Sequence, residues 1–281
     1  MFSNKEIARY YDVSESQYRI FWNLNKSRSL HYGYWNSNTK NFHEALLNIN
    51  RILSSKAAIT SNDVVLDAGC GVGGSSIWLA KNIGCKVTGI SLSEKQVYTA
   101  TTFAVREEVG HLANFEQRDF TASGYPDETF DVVWAIESVC HAKDKAAFVK
   151  EAFRILKKGG RLIMADFFKK DHLQGKDALQ IKQWAHGWAV EDFSSEKDFG
   201  KVLIDNSFSH TQIEDASQAI LPSAKRLYYS FFLGKPLGFF YGLIHPSSTS
   251  FGKKNIDTAF LQYVTLKRNL WKYLIISSIK S

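Results

Sequence analysis

The feature that most constrains this chain is segment 64–79, which reads VVLDAGCGVGGSSIWL. A run of β-branched residues and leucine ends in an acid, crosses a turn with four glycines, and continues with the apolar spacing of a helix. This pattern predicts a strand, a ligand-binding turn and a helix. Glycines such as Gly69, Gly71 and Gly73 let the backbone turn sharply and approach a ligand, because a Cβ would collide with it or forbid the required dihedral angles. A ligand held there lies at the carboxyl end of a parallel strand, where open α/β sheets bind their ligands.

Two classes of cofactor are compatible with this turn. Gly69, Gly71 and Gly74 satisfy the spacing G-x-G-x-x-G, which on its own is weak evidence for a dinucleotide. Asp67 argues against a dinucleotide, because its carboxylate would face the pyrophosphate at the helix N-terminus. S-adenosylmethionine contains no phosphate and carries a sulfonium and an ammonium group. An acid at the end of the strand therefore favours S-adenosylmethionine.

The segment resembles the first motif of the class I S-adenosylmethionine-dependent methyltransferases, which has the form (V/L)LD-x-G-C-G-x-G. In that family the glycine turn lies against the methionine part of the cofactor, and the acid at the strand end helps to orient the cofactor's amino group. The resemblance assigns these roles to Asp67, Gly69, Gly71 and Gly73. The alternative is that the glycines serve only tight packing between strand and helix, because likeness of fold alone does not establish function.

The composition sets outer limits. The 281 residues suffice for one large domain or a domain with a substantial cap, and 44% hydrophobic and 22% charged residues are typical of a soluble globular protein. Cys70, Cys85 and Cys140 lack the spacing of metal ligands, so we expect a reducing, cytoplasmic compartment and no metal site. The first residues lack the features of a secretory signal, and no stretch has the length of a membrane-spanning helix. The net charge of +7 is dispersed and no nucleic-acid-binding module is evident, so no nucleic-acid partner is predicted.

A helical, aromatic-rich segment at 5–26 is followed by the loop LHYGYW at 30–35. Aromatic faces attract a sulfonium through cation–π interactions worth about 0.5 to 2 kcal/mol. In tocopherol, sterol and similar small-molecule methyltransferases, a related H-x-G-(Y/F)-(Y/W) loop precedes the cofactor motif and closes over it. This resemblance assigns Tyr32 and Tyr34 to the cofactor site, whereas the alternative is that these rings cover the open face of the core.

The second predicted strand, 86–90, ends in Ser91-Leu92-Ser93 without an acid. Dinucleotide enzymes place an acid about 20 residues after the glycine turn to bind a ribose hydroxyl, so a nicotinamide oxidoreductase is disfavoured. The sequence matches instead the Gly-(I/L)-(T/S)-L-S pattern of the tocopherol and cyclopropane-synthase-like branch. That resemblance implies that Ser91 and Gln96 meet the ribose. A capping box between Ser93 and Gln96 at the start of the next helix is an equal alternative for Gln96.

A third strand is predicted at 114–118, with Asp119 and Phe120 immediately after it. In class I methyltransferases an acid at this position accepts a hydrogen bond from the adenine amino group. The resemblance therefore assigns Asp119 to adenine and Phe120 to packing on the adenine ring. The alternative for Asp119 is that it merely caps the following turn, as Asp often does.

The fourth predicted strand, 130–136, is followed by ESVCHA at 137–142. This stretch resembles the E-(A/S)-x-C-H-A segment of sterol C-methyltransferases and the E-S-x-x-H form of related tocopherol and natural-product enzymes. It is predicted at the strand end that faces the transferred methyl group. We predict His141 as a general base, because unperturbed imidazole titrates near pH 6.5, and Glu137 as a group that stabilises positive charge and also contacts the cofactor. Cyclopropane synthases have Glu where Cys140 stands, which disfavours that activity.

The later part of the chain is predicted as a helix at 143–157 stopped by Gly159 and Gly160, a fifth strand at 161–166, a helix from Ser194, a sixth strand near 211–214 and a last strand at 272–278. The aromatic-rich stretch before the last strand is too long for a plain connection, so we predict a helical lid there. Its rings favour a lipophilic acceptor, although many must serve packing. A further interpretation places its aromatic and basic residues against a membrane: Lys225, Arg226, Phe231, Phe232, Lys235, Phe239, Phe240 and Tyr241.

We therefore predict an α/β, Rossmann-like class I methyltransferase fold with a seven-stranded, mostly parallel sheet and helices on both faces. Residues 1–58 form an N-terminal helical segment over the cofactor site, 59–170 the cofactor-binding core, and 171–281 the remaining strands with the lid. The predicted activity is methyl transfer from S-adenosyl-L-methionine to an isoprenoid, a sterol-like compound or an aromatic natural product. O- or N-methylation of a small aromatic or amine is the alternative within this class, and a nicotinamide oxidoreductase or a non-catalytic lipid-binding protein the alternatives outside it.

Overall fold

The computed structural model of the chain describes residues 2–21, 24–244 and 250–281, and within these ranges the side chains of 14–21, 25–26, 233–244 and 250–256 lie outside the description. The side chains of Lys235, Phe239, Phe240 and Tyr241, assigned above to a membrane contact, belong to that undescribed set. The strands are β1 (Val64–Ala68), β2 (Lys86–Ser91), β3 (Ala113–Gln117), β4 (Phe130–Ile136), β5 (Leu156–Lys169), β6 (Phe208–Asp215) and β7 (Trp271–Lys280). The helices are α1 (Asn4–Phe21), α2 (Leu24–Ser27), α3 (Phe42–Lys56), α4 (Gly74–Asn82), α5 (Glu94–Arg106), α6 (Lys145–Ile155), α7 (Gly175–Gly187), α8 (Glu196–Asp205), α9 (Ser217–Ile244) and α10 (Ser250–Lys267), and a 3-10 turn spans Val139–His141.

One seven-stranded sheet in the order β3-β2-β1-β4-β5-β7-β6 organises the molecule. The five strands from β3 to β5 pair in parallel, whereas β7 runs antiparallel to both of its neighbours. Strands β1 and β4 are buried almost throughout, which explains their continuous apolar sequences, because a parallel strand is covered on both faces. The predicted seven-stranded, mostly parallel sheet is confirmed.

The strand order reverses its direction at β1. The chain places β2 and β3 on one side of β1 and then crosses to β4 on the other side. A crevice opens at such a switch point, outside the carboxyl ends of the strands, and is the usual ligand site of an open α/β sheet. The glycine turn after β1 and the ESVCHA segment after β4 therefore lie on the two sides of one crevice.

Helices cover both faces of the sheet. One buried apolar cluster contains Leu46 of α3, Ile77 of α4 and Trp184 of α7. The cluster on the other face contains Phe148 of α6 and Leu203 of α8. Two separate apolar layers on one sheet are the expected packing of an α/β domain.

The predicted end of the helix between β4 and β5 is wrong. Gly159 and Gly160 do not stop a helix, because α6 already ends at Ile155 and Leu156 is extended, with φ −71° and ψ 140°. Leu156 pairs with Phe130, and the two glycines lie within β5 where its register with β4 is interrupted. Gly159 adopts a φ of +71° there, so its conformational freedom serves an irregularity in the strand rather than a helix end.

A helical insertion precedes the last strand, as predicted. Helices α9 and α10 pack against each other, and α10 also packs against α7. Aromatic rings form part of this contact: the ring centroids of Tyr228 and Tyr263 lie 4.8 Å apart, and those of Tyr228 and Phe260 lie 5.4 Å apart. Among the described helices, none combines the length and apolar character needed to cross a membrane.

Candidate active site

The turn after β1 contains three glycines with positive φ: Gly69 (+94°), Gly71 (+53°) and Gly73 (+84°). A Cβ on Gly69 would clash with the side chain of Ser138, and one on Gly73 would lie 2.9 Å from an aromatic ring. The nearest atom to a Cβ on Gly71 is Leu30 Cδ1, at 3.5 Å, which is ordinary van der Waals contact. Packing therefore explains Gly69 and Gly73. At Gly71 the backbone retains room for the approach of a ligand.

Asp67 is buried at the end of β1, and its Oδ2 accepts a hydrogen bond of 2.6 Å from Ser76 Oγ. Because Ser76 belongs to the first turn of α4, this bond joins the strand to the helix across the glycine turn. Burial raises the pKa of Asp67 to about 7, and the hydrogen bonds from Ser76 oppose this rise. The acid thus has a role in shaping the turn, in addition to the role predicted from the resemblance.

Residues 28–30 cover the start of α4. A Cβ on Gly74 would clash with the carbonyl oxygen of Arg28. The Arg28 guanidinium forms an ion pair of 2.5 Å with Glu107 and lies 5.5 Å from the ring centroid of Phe103. Arg28, which precedes the loop of Tyr32, is therefore held close to the glycine turn by contacts with Phe103 of α5 and with Glu107, the residue after α5.

The end of β2 and the start of α5 share one hydrogen-bond network. Ser93 caps α5, because its Oγ accepts a 3.1 Å bond from the Gln96 N–H. Gln96 Oε1 accepts a 2.7 Å bond from Ser91 Oγ, which itself accepts a 3.1 Å bond from the Ser93 N–H. Only half of the predicted capping box is observed: Ser93 caps the helix, but its N–H donates to Ser91 Oγ instead of to the Gln96 side chain. Ser93 Oγ also donates to Asp12 of α1 at 2.6 Å.

Asp119 lies just beyond β3 and uses both carboxylate oxygens. Oδ1 accepts bonds from the Thr121 N–H at 2.8 Å and the Thr121 hydroxyl at 2.7 Å, so the acid does cap the following turn. Oδ2 accepts a 2.6 Å bond from Asn4 Nδ2 of α1. Phe120 packs edge to face on Phe148, with 5.4 Å between the ring centroids. The capping role is therefore observed, and Oδ2 is the oxygen directed toward the N-terminal helix.

Glu137 follows β4 with a positive φ of +50°, a conformation that is strained for a residue with a side chain and is concentrated at functional sites. Its Oε1 accepts a 2.7 Å bond from the Tyr32 N–H and a 2.8 Å bond from the Tyr273 hydroxyl. Within the described part of the chain, Oε2 has no hydrogen-bond partner. This oxygen remains available to another group.

Burial is the main cause of an altered pKa at Glu137. It raises the pKa to about 8, and the charge of Asp166 adds to the rise, while the donors from Tyr32 and Tyr273 oppose it. At neutral pH the carboxyl group of the protein alone is mainly protonated. Because Oε1 accepts both hydrogen bonds, the proton belongs on Oε2.

His141 lies at the end of the 3-10 turn after β4. Its Nδ1 is 3.4 Å from the carbonyl oxygen of Ala189, and its Nε2 is 2.7 Å from the hydroxyl of Tyr11. A carbonyl oxygen can only accept, so we assign the proton to Nδ1 and the accepted Tyr11 bond to Nε2. Burial lowers the pKa of His141 to about 4, so the ring is neutral at physiological pH. The basic nitrogen is thus unprotonated, but the lowered pKa makes it a weaker base than free imidazole, and it is bonded to Tyr11 of α1.

Two charged side chains fix the turn that carries His141. Asp166 Oδ2 accepts a 2.9 Å bond from the Cys140 N–H. Lys145 Nζ donates to the carbonyl oxygens of Cys140, Ala142 and Asp192 at 2.9, 2.6 and 3.2 Å. Lys145 therefore joins this turn to the segment that supplies the Ala189 carbonyl to His141.

The two tyrosines of the aromatic loop have different surroundings. The Tyr32 ring is buried, with its centroid 5.6 Å from that of Phe167 and 6.3 Å from that of Trp188, and its hydroxyl donates to Gln262 at 2.7 Å. Tyr34 is partly buried, and its backbone N–H bonds to α3. Tyr32 therefore reaches Glu137 through its main chain, while its ring joins a packed aromatic cluster.

Several residues at this site were not predicted from the sequence. Asn4, Tyr11 and Asp12 of α1 contact the loops after β3, β4 and β2, respectively. Their spacing of i, i+7 and i+8 places them on one face of a helix, which is the signal that was available. Tyr273 and Lys145 gave no comparable signal, because neither belongs to a motif.

Comparison with known proteins agrees with this geometry. A family described as "Methyltransferase domain" matches residues 66–164, which run from within β1 to within β5. The chain is 34% identical over 218 residues to the 27-O-demethylrifamycin SV methyltransferase of Amycolatopsis mediterranei (strain S699), covering 78% of this chain and 79% of that protein. It is 28% identical over 236 residues to the chloroplastic tocopherol O-methyltransferase of Arabidopsis thaliana, and the match covers 78% of this chain and 67% of that protein. A solved structure of geranyl diphosphate methyltransferase in complex with GPP and sinefungin has a TM-score of 0.79 over 99% of both chains at 17% identity, which is a likeness of fold.

The alignment with the rifamycin enzyme extends well beyond the glycine motif, so the similarity concerns most of the chain. The predicted family resemblance and the predicted cofactor are confirmed, and the nicotinamide oxidoreductase is set aside. The chain belongs to the class I S-adenosyl-L-methionine-dependent methyltransferases, in the branch that includes the tocopherol and rifamycin enzymes.

Proposed function

We propose that this enzyme transfers a methyl group to a lipophilic small molecule: an isoprenoid, a sterol-like compound or an aromatic natural product. The observation that carries the proposal is the aromatic surroundings of Glu137. Its two donors, Tyr32 and Tyr273, belong to one cluster of rings with Phe167 and Trp188, in which centroids lie 5.5 to 6.3 Å apart. Such a packed, buried cluster keeps water away from Glu137 and suits an apolar acceptor next to it. The acceptors named for the two relatives, a tocopherol and a rifamycin, support this class.

The residues around the glycine turn fit S-adenosyl-L-methionine. We propose that Gly69, Gly71 and Gly73 hold the methionine part, because the backbone at Gly71 leaves room for close approach. Asp67 and Glu137 place two acidic groups around the turn, which suits a ligand with an ammonium and a sulfonium group; in their ionised forms they would also repel a pyrophosphate. A nearby cation also favours the ionised forms of both acids.

The adenosine part is assigned to the loops after β2 and β3. We propose that Ser91 and Gln96 meet the ribose and that Asp119 accepts a bond from the adenine amino group, with Phe120 beside the ring. Asp119 Oδ2 is bonded to Asn4 in the protein alone, so the adenine amino group would share or replace that donor. Tyr34 is proposed to close the methionine end of the site together with the backbone of Tyr32.

The proposed chemistry needs little covalent participation by the protein. When bound, S-adenosyl-L-methionine supplies a methyl group already activated on sulfur. Glu137, once ionised, stabilises positive charge that develops on an acceptor carbon, and the surrounding rings assist through their negative faces. For an acceptor that loses a proton, the neutral His141 accepts it at Nε2 after the Tyr11 hydroxyl turns away. The aromatic cluster aligns the acceptor and excludes water.

O- or N-methylation of a small aromatic or amine is the second candidate. The observation in its favour is the neutral His141, whose Nε2 lone pair suits an acceptor hydroxyl. C-methylation of an isoprenoid depends more on Glu137 and on the rings. The atom that receives the methyl group, located by NMR of the product, separates these two reactions.

The experiment is incubation of the full chain with ¹⁴C-methyl-labelled S-adenosyl-L-methionine and a panel of quinols, prenyl compounds, sterols and small amines. We expect label in a lipophilic product, reduced in His141→Ala or Glu137→Gln while the affinity for the cofactor changes less. Label confined to small amines would overturn the lipophilic class. Absence of label from the whole panel, with cofactor bound, would support the non-catalytic lipid-binding alternative instead.

We also propose a division of labour along the chain. Residues 1–58 cover the cofactor, residues 59–170 bind it, and residues 171–281 complete the sheet and enclose the acceptor. A lipophilic acceptor partitions into lipid, so the proposal includes a cytoplasmic enzyme with peripheral contact to a membrane. The three cysteines, Cys70, Cys85 and Cys140, are buried free thiols, which agrees with a reducing compartment.

A further inference from the structure

We propose that the outer face of α9 binds membranes that contain anionic lipid, through Lys225, Tyr229 and Phe232. These residues lie at i, i+4 and i+7, so they share one face of the helix. Tyr229 is 55% exposed and Phe232 is 51% exposed, and both are among the most exposed large hydrophobic residues of the described chain. Lys225 is also exposed, and its Nζ lies 5.8 Å from the ring centroid of Tyr229.

The two exposed rings are supported from beneath. The centroid of Tyr228 lies 5.7 Å from that of Tyr229 and 5.1 Å from that of Phe232, and Tyr228 itself packs against Tyr263 of α10. The outer rings are therefore held in place by the contact between α9 and α10. Preorganised aromatic side chains of this kind insert at the level of lipid headgroups with little loss of conformational entropy.

The positive charge of this part of the chain indicates which kind of surface the face binds. Between positions 217 and 255, the sequence contains no aspartate or glutamate but has five basic residues: Lys225, Arg226, Lys235, Lys253 and Lys254. A cationic segment with exposed aromatic rings matches a surface that is anionic outside and apolar within, which is an anionic lipid bilayer. An apolar protein surface would not select for this charge.

This inference deepens the proposed function, because the surface would bring the acceptor-binding part of the chain to the lipid phase. Binding to lipid itself needs no methyl transfer, so the two can fail separately. Vesicle binding without methyl transfer would support the membrane-binding surface and contradict the proposed function. Methyl transfer to a detergent-dispersed acceptor without vesicle binding would support the proposed function and contradict the membrane-binding surface.

The test is co-sedimentation of the full chain with vesicles of phosphatidylcholine alone and with 30 mol% phosphatidylglycerol. We expect binding to the anionic vesicles, weakened about tenfold or more in Lys225→Glu and in the double variant Tyr229→Ser/Phe232→Ser. Added salt should weaken vesicle binding by the wild type without abolishing it. The double variant Tyr229→Ser/Phe232→Ser should lose the vesicle binding that the wild type retains at high salt.

Matched controls use exposed residues elsewhere. Lys197→Glu on α8 makes the same charge change, and Tyr98→Ser on α5 removes a ring that is 75% exposed. Unchanged affinity for S-adenosyl-L-methionine shows that each variant is folded. Equal binding to both vesicle types, or an equal loss in the control variants, would overturn the proposal.

Discussion

At the scale of a single residue, the buried carboxyl of Glu137 links protonation to stability. Its pKa is about 8 in the folded protein against an ordinary value of 4.5, so the folded state binds more protons between those limits. The free energy of unfolding therefore falls as pH rises through this range. We expect Glu137→Gln, which keeps an acceptor for Tyr32 and Tyr273, to flatten the fall between pH 6.5 and 8 by up to about 1.4 kcal/mol per pH unit.

Denaturant unfolding of the cofactor-free protein at several pH values measures this effect. His31 and His141 do not interfere, because burial lowers the pKa of each from 6.5 to about 4, so they make stability rise with pH only below 6.5. Asp67, with a pKa of about 7, also lowers the free energy of unfolding as pH rises, but its effect ends at a lower pH than that of Glu137 and is still present in Glu137→Gln. Glu108 is the control, because it also has a positive φ, +61°, but is exposed. An identical slope in wild type and Glu137→Gln would contradict the prediction.

At the scale of an element, α1 joins three of the four loops to which the cofactor is assigned. Asn4 bonds to Asp119 after β3, Tyr11 to His141 after β4 and Asp12 to Ser93 at the start of α5. If α1 covers the bound cofactor, loosening it accelerates release. We expect Asp12→Ala to raise the dissociation rate of S-adenosyl-L-methionine about threefold to tenfold, because one hydrogen bond contributes roughly 0.5 to 1.5 kcal/mol.

Stopped-flow displacement of bound cofactor gives this rate. Lys5→Ala is a suitable control on the same helix, since Lys5 is exposed and α1 retains its length. A dissociation rate that is equal in wild type and Asp12→Ala would mean that α1 does not hold the cofactor in place. Hydrogen exchange of the α1 amides, faster in Asp12→Ala than in Lys5→Ala, would connect the rate to the helix itself.

The elements also show where sequence reasoning reaches its limit. The helix at the N-terminus and the strand at 130–136 follow from local periodicity, and Glu137 and His141 follow from a motif of six residues. The contacts of α1 do not, because Asn4 and Asp119 are 115 residues apart and Tyr11 and His141 are 130 apart. Local signals also misplaced the end of α6, because pairing of Leu156 with Phe130 overrides the continuation of the helix.

At the scale of the whole molecule, one carboxylate oxygen joins the three proposed segments of the chain. Glu137 Oε1, in the segment 59–170, accepts from the Tyr32 N–H in 1–58 and from the Tyr273 hydroxyl in 171–281. Tyr273 can reach it because β7 pairs along β5, which opposes Phe167 to Tyr273 and Asp166 to Leu274. The reversed last strand thus completes a site whose other parts come from the parallel half of the sheet.

This arrangement predicts how Tyr273→Phe changes the site. The hydroxyl of Tyr273 stabilises the ionised form of Glu137, so its removal raises the pKa of Glu137 above about 8. NMR of a ¹³C-labelled glutamate carboxyl, assigned through Glu137→Gln, measures that titration directly. We expect the pH dependence of turnover to move upward with it, while the KM for the cofactor changes little. Tyr98→Phe on the exposed face of α5 serves as the control, and a Glu137 titration that is unchanged or lowered in Tyr273→Phe would show that the last strand does not tune the site.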